Sequence, residues 1–180
     1  MNLPRAVLVT HRWLGLTIGA IMAIAGITGA VLTWPGSSPV QKASDALHES
    51  LAMGSAGTWV VLIATAASIV LQLAGAYLWW KSKRRTIRVR GGQGWRCAIA
   101  DLHFSVGILA VPIMLLLAGS AVGRAVVDPS GRYSNIRSAV SRLHTAKDFP
   151  VVMKALYTAG SLGFVALGVT GVLMWWRPRR

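Results

Sequence analysis

The chain has 180 residues, 54% of them apolar and 13% charged, with 19 Lys+Arg against 5 Asp+Glu and a net charge of +14. Read alone, that charge would suit a nucleic-acid binder, which neutralises phosphates with a basic face. A mean hydropathy of +0.54 excludes a soluble module of that kind and points to a membrane protein with basic connections. The single cysteine, Cys97, excludes an intrachain disulfide, a C-x-x-C-H attachment site and an all-cysteine metal site, and reads as a small buried side chain.

A helix that crosses a bilayer needs about 20 apolar residues. Four segments qualify, over 14–34, 59–80, 99–122 and 155–176. The first is read as a retained helix, because its apolar run exceeds the roughly 7–15 residues of a signal-peptide core and no A-x-A site follows Ala30. Arg5 and Arg12 precede span one, and Lys42 is the only Lys or Arg in the connection after it. The next connection carries Lys81, Lys83, Arg84, Arg85, Arg88, Arg90 and Arg96, and Arg177, Arg179 and Arg180 close the chain. The connection between spans three and four dilutes its basic residues, Arg124 to Lys154, with Asp128 and Asp148. The positive-inside rule therefore predicts that both termini and the middle loop are cytoplasmic. Trp79, Trp80, Trp175 and Trp176 are expected in an aromatic belt on that side, with Trp34 and Trp59 at the other interface. The expected architecture is an all-α membrane protein. It is a four-transmembrane-helix bundle forming one domain over 1–180, with related halves over about 1–90 and 91–180.

The relation between the halves rests on matched motifs. Span one opens His11-Arg12-Trp13-Leu14-Gly15 and span three opens His103-Phe104-Ser105-Val106-Gly107, both H-x-x-x-G. Span two ends Gly75-Ala76-Tyr77-Leu78-Trp79-Trp80-Lys81, and span four ends Gly171-Val172-Leu173-Met174-Trp175-Trp176-Arg177. His48 precedes Gly75 by the same interval as His144 precedes Gly171. The four histidines thus form two equivalent pairs, His11 with His103 and His48 with His144. Equivalent residues face each other across a pseudo-two-fold axis along the membrane normal.

An isolated histidine near a helix end is commonly an interfacial anchor, but paired imidazoles on facing helices are what axial ligation of haem requires. Gly15, Gly19, Gly26, Gly29, Gly107, Gly119 and Gly123 are candidates to line a slot; Gly15/Gly19 and Gly119/Gly123 also read as G-x-x-x-G packing pairs. Arg12, Arg84 and Arg85 are candidate partners for haem propionates on the cytoplasmic side, and Arg124 or Arg142 on the other. Topology signalling accounts for any one of them as well. Asp101 could orient an imidazole or cap a helix start, and Gln72 reads as an interhelical hydrogen bonder. Zinc or copper would want three or four converging ligands, which two separated histidine pairs do not offer. A continuous helix from His144 to Trp176 would be about 48 Å long, so Pro150 is expected to break it. The segment around His144 then either folds back or lies at the surface.

His11-Arg12-Trp13-Leu14-Gly15 with Thr28-Gly29, Asp101-Leu102-His103 with Gly107, Leu143-His144, and Thr170-Gly171-Val172-Leu173-Met174-Trp175-Trp176 together resemble the motifs of the PepSY-associated transmembrane family. The set covers all four spans, although the chain lacks the large periplasmic insertion common in that family. The resemblance implies a multi-pass protein of the bacterial inner membrane, similar to reductases of siderophore-bound iron and to di-haem cytochromes. His11, His103 and His144 fall on the family's histidine motifs, while His48 rests mainly on the repeat. The combined expectation is a b-type cytochrome with two haems whose iron ligands are His11, His103, His48 and His144, assisted by Arg12 and Arg124. It assigns no catalytic side chain. Electrons would come from a cytoplasmic donor or quinol and leave to a periplasmic ferric complex. The expected surroundings are a lipid bilayer, with no nucleic acid and with room for a homo-oligomer. The rival readings are a non-enzymatic accessory subunit of a transporter or redox complex, and a metal-ion carrier.

Overall fold

The computed structural model describes residues 2–82, 87, 94–127 and 134–176. The basic residues expected at 83–85, 88, 90, 132, 177, 179 and 180, and Asp128, lie outside the described residues. Six helices follow in order: α1 Leu3–Leu32, α2 Pro39–Ser50, α3 Gly54–Lys81, α4 Trp95–Val126, α5 Ser134–Thr145 and α6 Val151–Trp175. There is no strand among the described residues. Helices α1, α3, α4 and α6 are each long and apolar enough to cross a membrane.

The distribution of side chains is that of a protein dissolved in lipid. Ile24, Ile27, Ile63, Val70, Leu73, Leu109 and Val169 face outward, while Thr28, Thr65, Ser68, Gln72, Ser105, Ser120, Ser161 and Thr170 are buried. Apolar residues gain little by leaving hydrocarbon, so small residues that let backbones approach occupy the interior instead. Most of the buried hydroxyls are satisfied within their own helix: Thr28 donates to the Ile24 carbonyl, Thr65 to Val61 and Thr170 to Ala166. Gln72 likewise reaches Ser68 on its own helix, at 3.5 Å, rather than a neighbouring one.

The spanning helices form a ring. α1 packs on α3 and α6, and α4 packs on the same two, so α1 and α4 stand diagonally opposite. Gly26 of α1 meets the Ser161 carbonyl of α6, and Gly160 of α6 meets Ile113 of α4. A compact apolar cluster of Met22, Ala64, Met114 and Phe164 fills the middle of the ring.

The two short helices lie on the end of the bundle away from the chain termini. α2 begins with a capping box, in which Ser38 accepts from the Gln41 N–H and the Gln41 side chain accepts from the Ser38 N–H; Pro39 takes the first helical position. It ends in a tight reversal in which Leu51 and Ala52 both take left-handed backbone, at φ 50° and 57°. α2 thereby folds back against α1 and α3. α5 ends at Thr145, followed by Ala146 in left-handed backbone at φ 49°, and Pro150 stands immediately before α6. The break expected at Pro150 is present, and α5 folds back onto α4.

Candidate functional site

Each histidine is held by its own half of the chain. His11 on α1 donates from Nδ1 to the Leu71 carbonyl of α3 at 3.0 Å, and its ring lies over Gly75. His103 on α4 bonds through Nδ1 to the Thr170 hydroxyl of α6 at 2.8 Å, with its ring over Gly171. His48 on α2 reaches the Ala25 carbonyl at 3.0 Å and the Thr28 hydroxyl at 3.1 Å, both on α1. His144 on α5 reaches the Leu117 carbonyl and the Ser120 hydroxyl of α4, each at 3.1 Å.

These bonds decide the tautomer. A backbone carbonyl can only accept, so His11, His48 and His144 must donate from Nδ1. Thr170 has already given its hydroxyl proton to Ala166 at 2.6 Å, so towards His103 its oxygen is an acceptor too. All four rings therefore carry the proton on Nδ1 and keep a lone pair on Nε2, which has no partner among the described residues. This is the arrangement in which an imidazole binds a metal, with the other nitrogen oriented by a hydrogen bond. Outside the spans, burial lowers the pKa of His48, and burial, reinforced by His48 and Arg124, pushes that of His144 down to about 4. Both are neutral at physiological pH.

The rings then meet across the bundle. His11 and His103 have ring centres 6.4 Å apart with planes at 83°, and His48 and His144 have centres 6.0 Å apart at 39°. A metal about 2.0–2.1 Å from each of two ring nitrogens, with each ring centre roughly 1 Å further back, would separate the centres by about 6 Å. Both pairs have that spacing. Among the described residues, no third His, Cys, Asp or Glu joins either pair into a metal-binding cluster.

A cavity surrounds each pair. The terminal cavity, near the chain ends, has a volume of about 500 Å³ and is lined by His11, His103, Arg12, Gly15, Gly19, Gly75, Gly107, Gly168, Gly171 and Trp79. The distal cavity, of about 420 Å³, is lined by His48, His144, Glu49, Arg124, Arg137, Gly26 and Ser141. Met22 and Phe164 line both, so a single layer of side chains separates them. Along α1 the two sites are about 21 Å apart, measured from His11 to Ala25.

The glycines divide by role. Gly15 and Gly19 open onto the terminal cavity, with no close neighbour to a Cβ at Gly19. Gly29 receives the His48 ring, and Gly123 receives Val140 of α5. Gly119 faces outward and lines neither cavity. Arg12 and Arg124 reach the cavities as expected, whereas Arg142 is exposed and lines neither; Arg84 and Arg85 lie outside the described residues. Asp101 is buried, but α4 begins at Trp95 and Thr170 takes the His103 Nδ1–H, so Asp101 neither caps the helix nor orients that nitrogen.

Several contributors were not singled out from the sequence. Arg137 lies two turns before His144 on the same face of α5, a spacing that could have marked it. Thr28 and Thr170 stood in the motifs quoted above but without a role, and Ser120 had no signal, because a hydroxyl in an apolar helix looks the same wherever it faces. Trp79 departs from the belt expectation. Trp80 and Trp176 are exposed, but Trp79 turns inward to line the terminal cavity.

The profile of the PepSY-associated TM region matches residues 33–132, more than half of the chain, and the chain belongs to that family. The matched stretch includes α2, α3 and α4, with His48 and His103. No curated protein and no solved structure matches the chain.

Proposed function

We propose that the chain is a di-haem b-type cytochrome of the bacterial inner membrane. In this reading it passes electrons from a cytoplasmic donor or quinol to a periplasmic ferric complex of the siderophore type. The observation that carries the reading is the pairing of four imidazoles, each with a free Nε2, at two metal-compatible spacings. Haem held there supplies reversible one-electron chemistry. His11 and His103 would be the ligands in the terminal cavity, and His48 and His144 those in the distal one.

The chain's own contribution is orientation and burial. The Leu71, Ala25 and Leu117 carbonyls and the Thr170 hydroxyl fix the rings and raise the basicity of their free nitrogens. Gly15, Gly19 and Gly107 leave open space in the terminal cavity between the diagonal helices α1 and α4. Arg12, Arg124 and Arg137 supply positive charge where acidic substituents would emerge. The strongly basic middle connection and chain end support a cytoplasmic location for the terminal site.

Purified protein should show a Soret band and, on reduction, α and β bands of low-spin haem. His103→Ala should remove about half the haem and His144→Ala the other half. A colourless preparation from cells with ample haem, or full haem retention by both variants, would sink the proposal.

A further inference from the structure

Trp79, one of the tryptophans expected at the membrane faces, turns inward, and its indole Nε1 is buried without a hydrogen-bond partner among the described residues. A buried donor left unpaired costs about 1–3 kcal/mol, so such a group commonly marks where something else binds. Trp79 lies one turn beyond Gly75, the residue beneath the His11 ring, on the side towards the end of α3. Arg12, next to His11, is exposed and lines the same cavity. Beside its histidine pair the cavity therefore has one buried donor without a partner, Trp79 Nε1, one buried acceptor without a partner, Gln72 Oε1, and one cation at the edge. Its remaining walls are glycine and apolar side chains, apart from Ser68 and Ser82.

We infer that the Trp79 N–H, together with the Arg12 guanidinium, is the carboxylate anchor of the terminal cavity and sets which way round a tetrapyrrole sits there. The inference rests on the haem reading above and adds to it a residue and a direction. An anionic carboxylate is the ligand this pair selects. The indole can only donate, and the guanidinium supplies the charge that makes a buried carboxylate tolerable. Trp175, in the corresponding place on α6, also lines the cavity but is about half exposed, so its ring does not enclose a polar atom in the same way. The anchor is thus one-sided, which is what orientation requires.

The test compares ferric protoporphyrin IX with its dimethyl ester, in which both carboxylates are blocked, on full-length protein in detergent. A His144→Ala background leaves the terminal pair as the only ligand pair. Trp79→Phe, which keeps a ring and removes the N–H, should weaken binding of the free acid about tenfold and that of the ester, whose carbonyl accepts only a weaker neutral hydrogen bond, by clearly less. Arg12→Gln, at an exposed position that leaves the bundle packing intact, should discriminate in the same direction. The distal haem band of the otherwise unmutated chain carrying Trp79→Phe reports whether the bundle is folded. Equal losses on acid and ester would make Trp79 a packing residue and overturn the inference, as would no loss with either. In those cases a normal bis-histidine spectrum would leave the haem reading standing. Absence of that spectrum from the unmutated protein would instead remove both.

Discussion

At the scale of single residues, the four histidines differ in how many acceptors hold their Nδ1–H. His48 has two, the Ala25 carbonyl and the Thr28 hydroxyl, and His144 has the matching pair from Leu117 and Ser120. His103 has Thr170 alone. Removing the hydroxyl should therefore matter at one site and little at the other. Thr170→Val is expected to weaken haem retention at the terminal site about tenfold, and Thr28→Val to change the distal site by less than about threefold. Haem transfer to an excess of a scavenging apoprotein, followed optically, measures both; a larger effect of Thr28→Val would contradict the tautomer assignment. His11 and His103 were legible because an ionisable residue stands out in an apolar span, and His48 and His144 because their spacing to Gly75 and Gly171 repeats. Their acceptors were not, because carbonyls and helix-bonded hydroxyls acquire a role only through the rotation of one helix against another.

At the scale of elements, the distal site depends on two short helices that bring their histidines back over the bundle. α5 is held at its end by Tyr157 of α6, fully buried, whose hydroxyl donates to the Leu143 carbonyl at 2.7 Å, next to His144. The Phe149 ring packs edge-on against Tyr157, with centres 5.8 Å apart. Tyr157→Phe keeps that packing and loses the hydrogen bond, worth about 1 kcal/mol. It should speed haem loss from the distal site by about fivefold and leave the terminal site unaltered, which site-resolved haem transfer would detect. Equal loss from both sites would mean that Tyr157 supports the whole bundle rather than α5. Pro150 made the break before α6 readable, because proline restricts the residue before it. The reversal after α2 was less readable: Leu51 and Ala52 take left-handed backbone that neither residue type favours.

Across the whole molecule, stability rests on close backbone approach between helices in a lipid-facing bundle. Gly26 is pressed against the Ser161 carbonyl and the Phe164 side chain where α1 and α6 meet, whereas a Cβ at Gly119 would meet no atom within 4 Å. Gly26→Val should separate α1 from α6 and lower the thermal midpoint in detergent, at a cost of about 1–3 kcal/mol or more. Gly119→Val should be close to neutral. Equal effects would show that the α1–α6 seam is not close-packed. Gly26 also lines the distal cavity, beside the Met22 and Phe164 layer that divides the two sites, so the first variant should also lose distal haem.

Four membrane-spanning helices and two histidine pairs could be read from the chain itself, because hydropathy, basic connections and matched spacing are properties of linear order. Membership of the PepSY-associated TM family agrees with the membrane-spanning part of that reading. Only the folded arrangement decided which glycines open a cavity and which merely pack. The same holds for Trp79 facing inward, Arg142 pointing away, and the nitrogen of each imidazole left free. Those outcomes depend on helix rotation and crossing, set by steric fit among small side chains. In lipid, where burial of apolar surface supplies little direction, that fit is the specifying force.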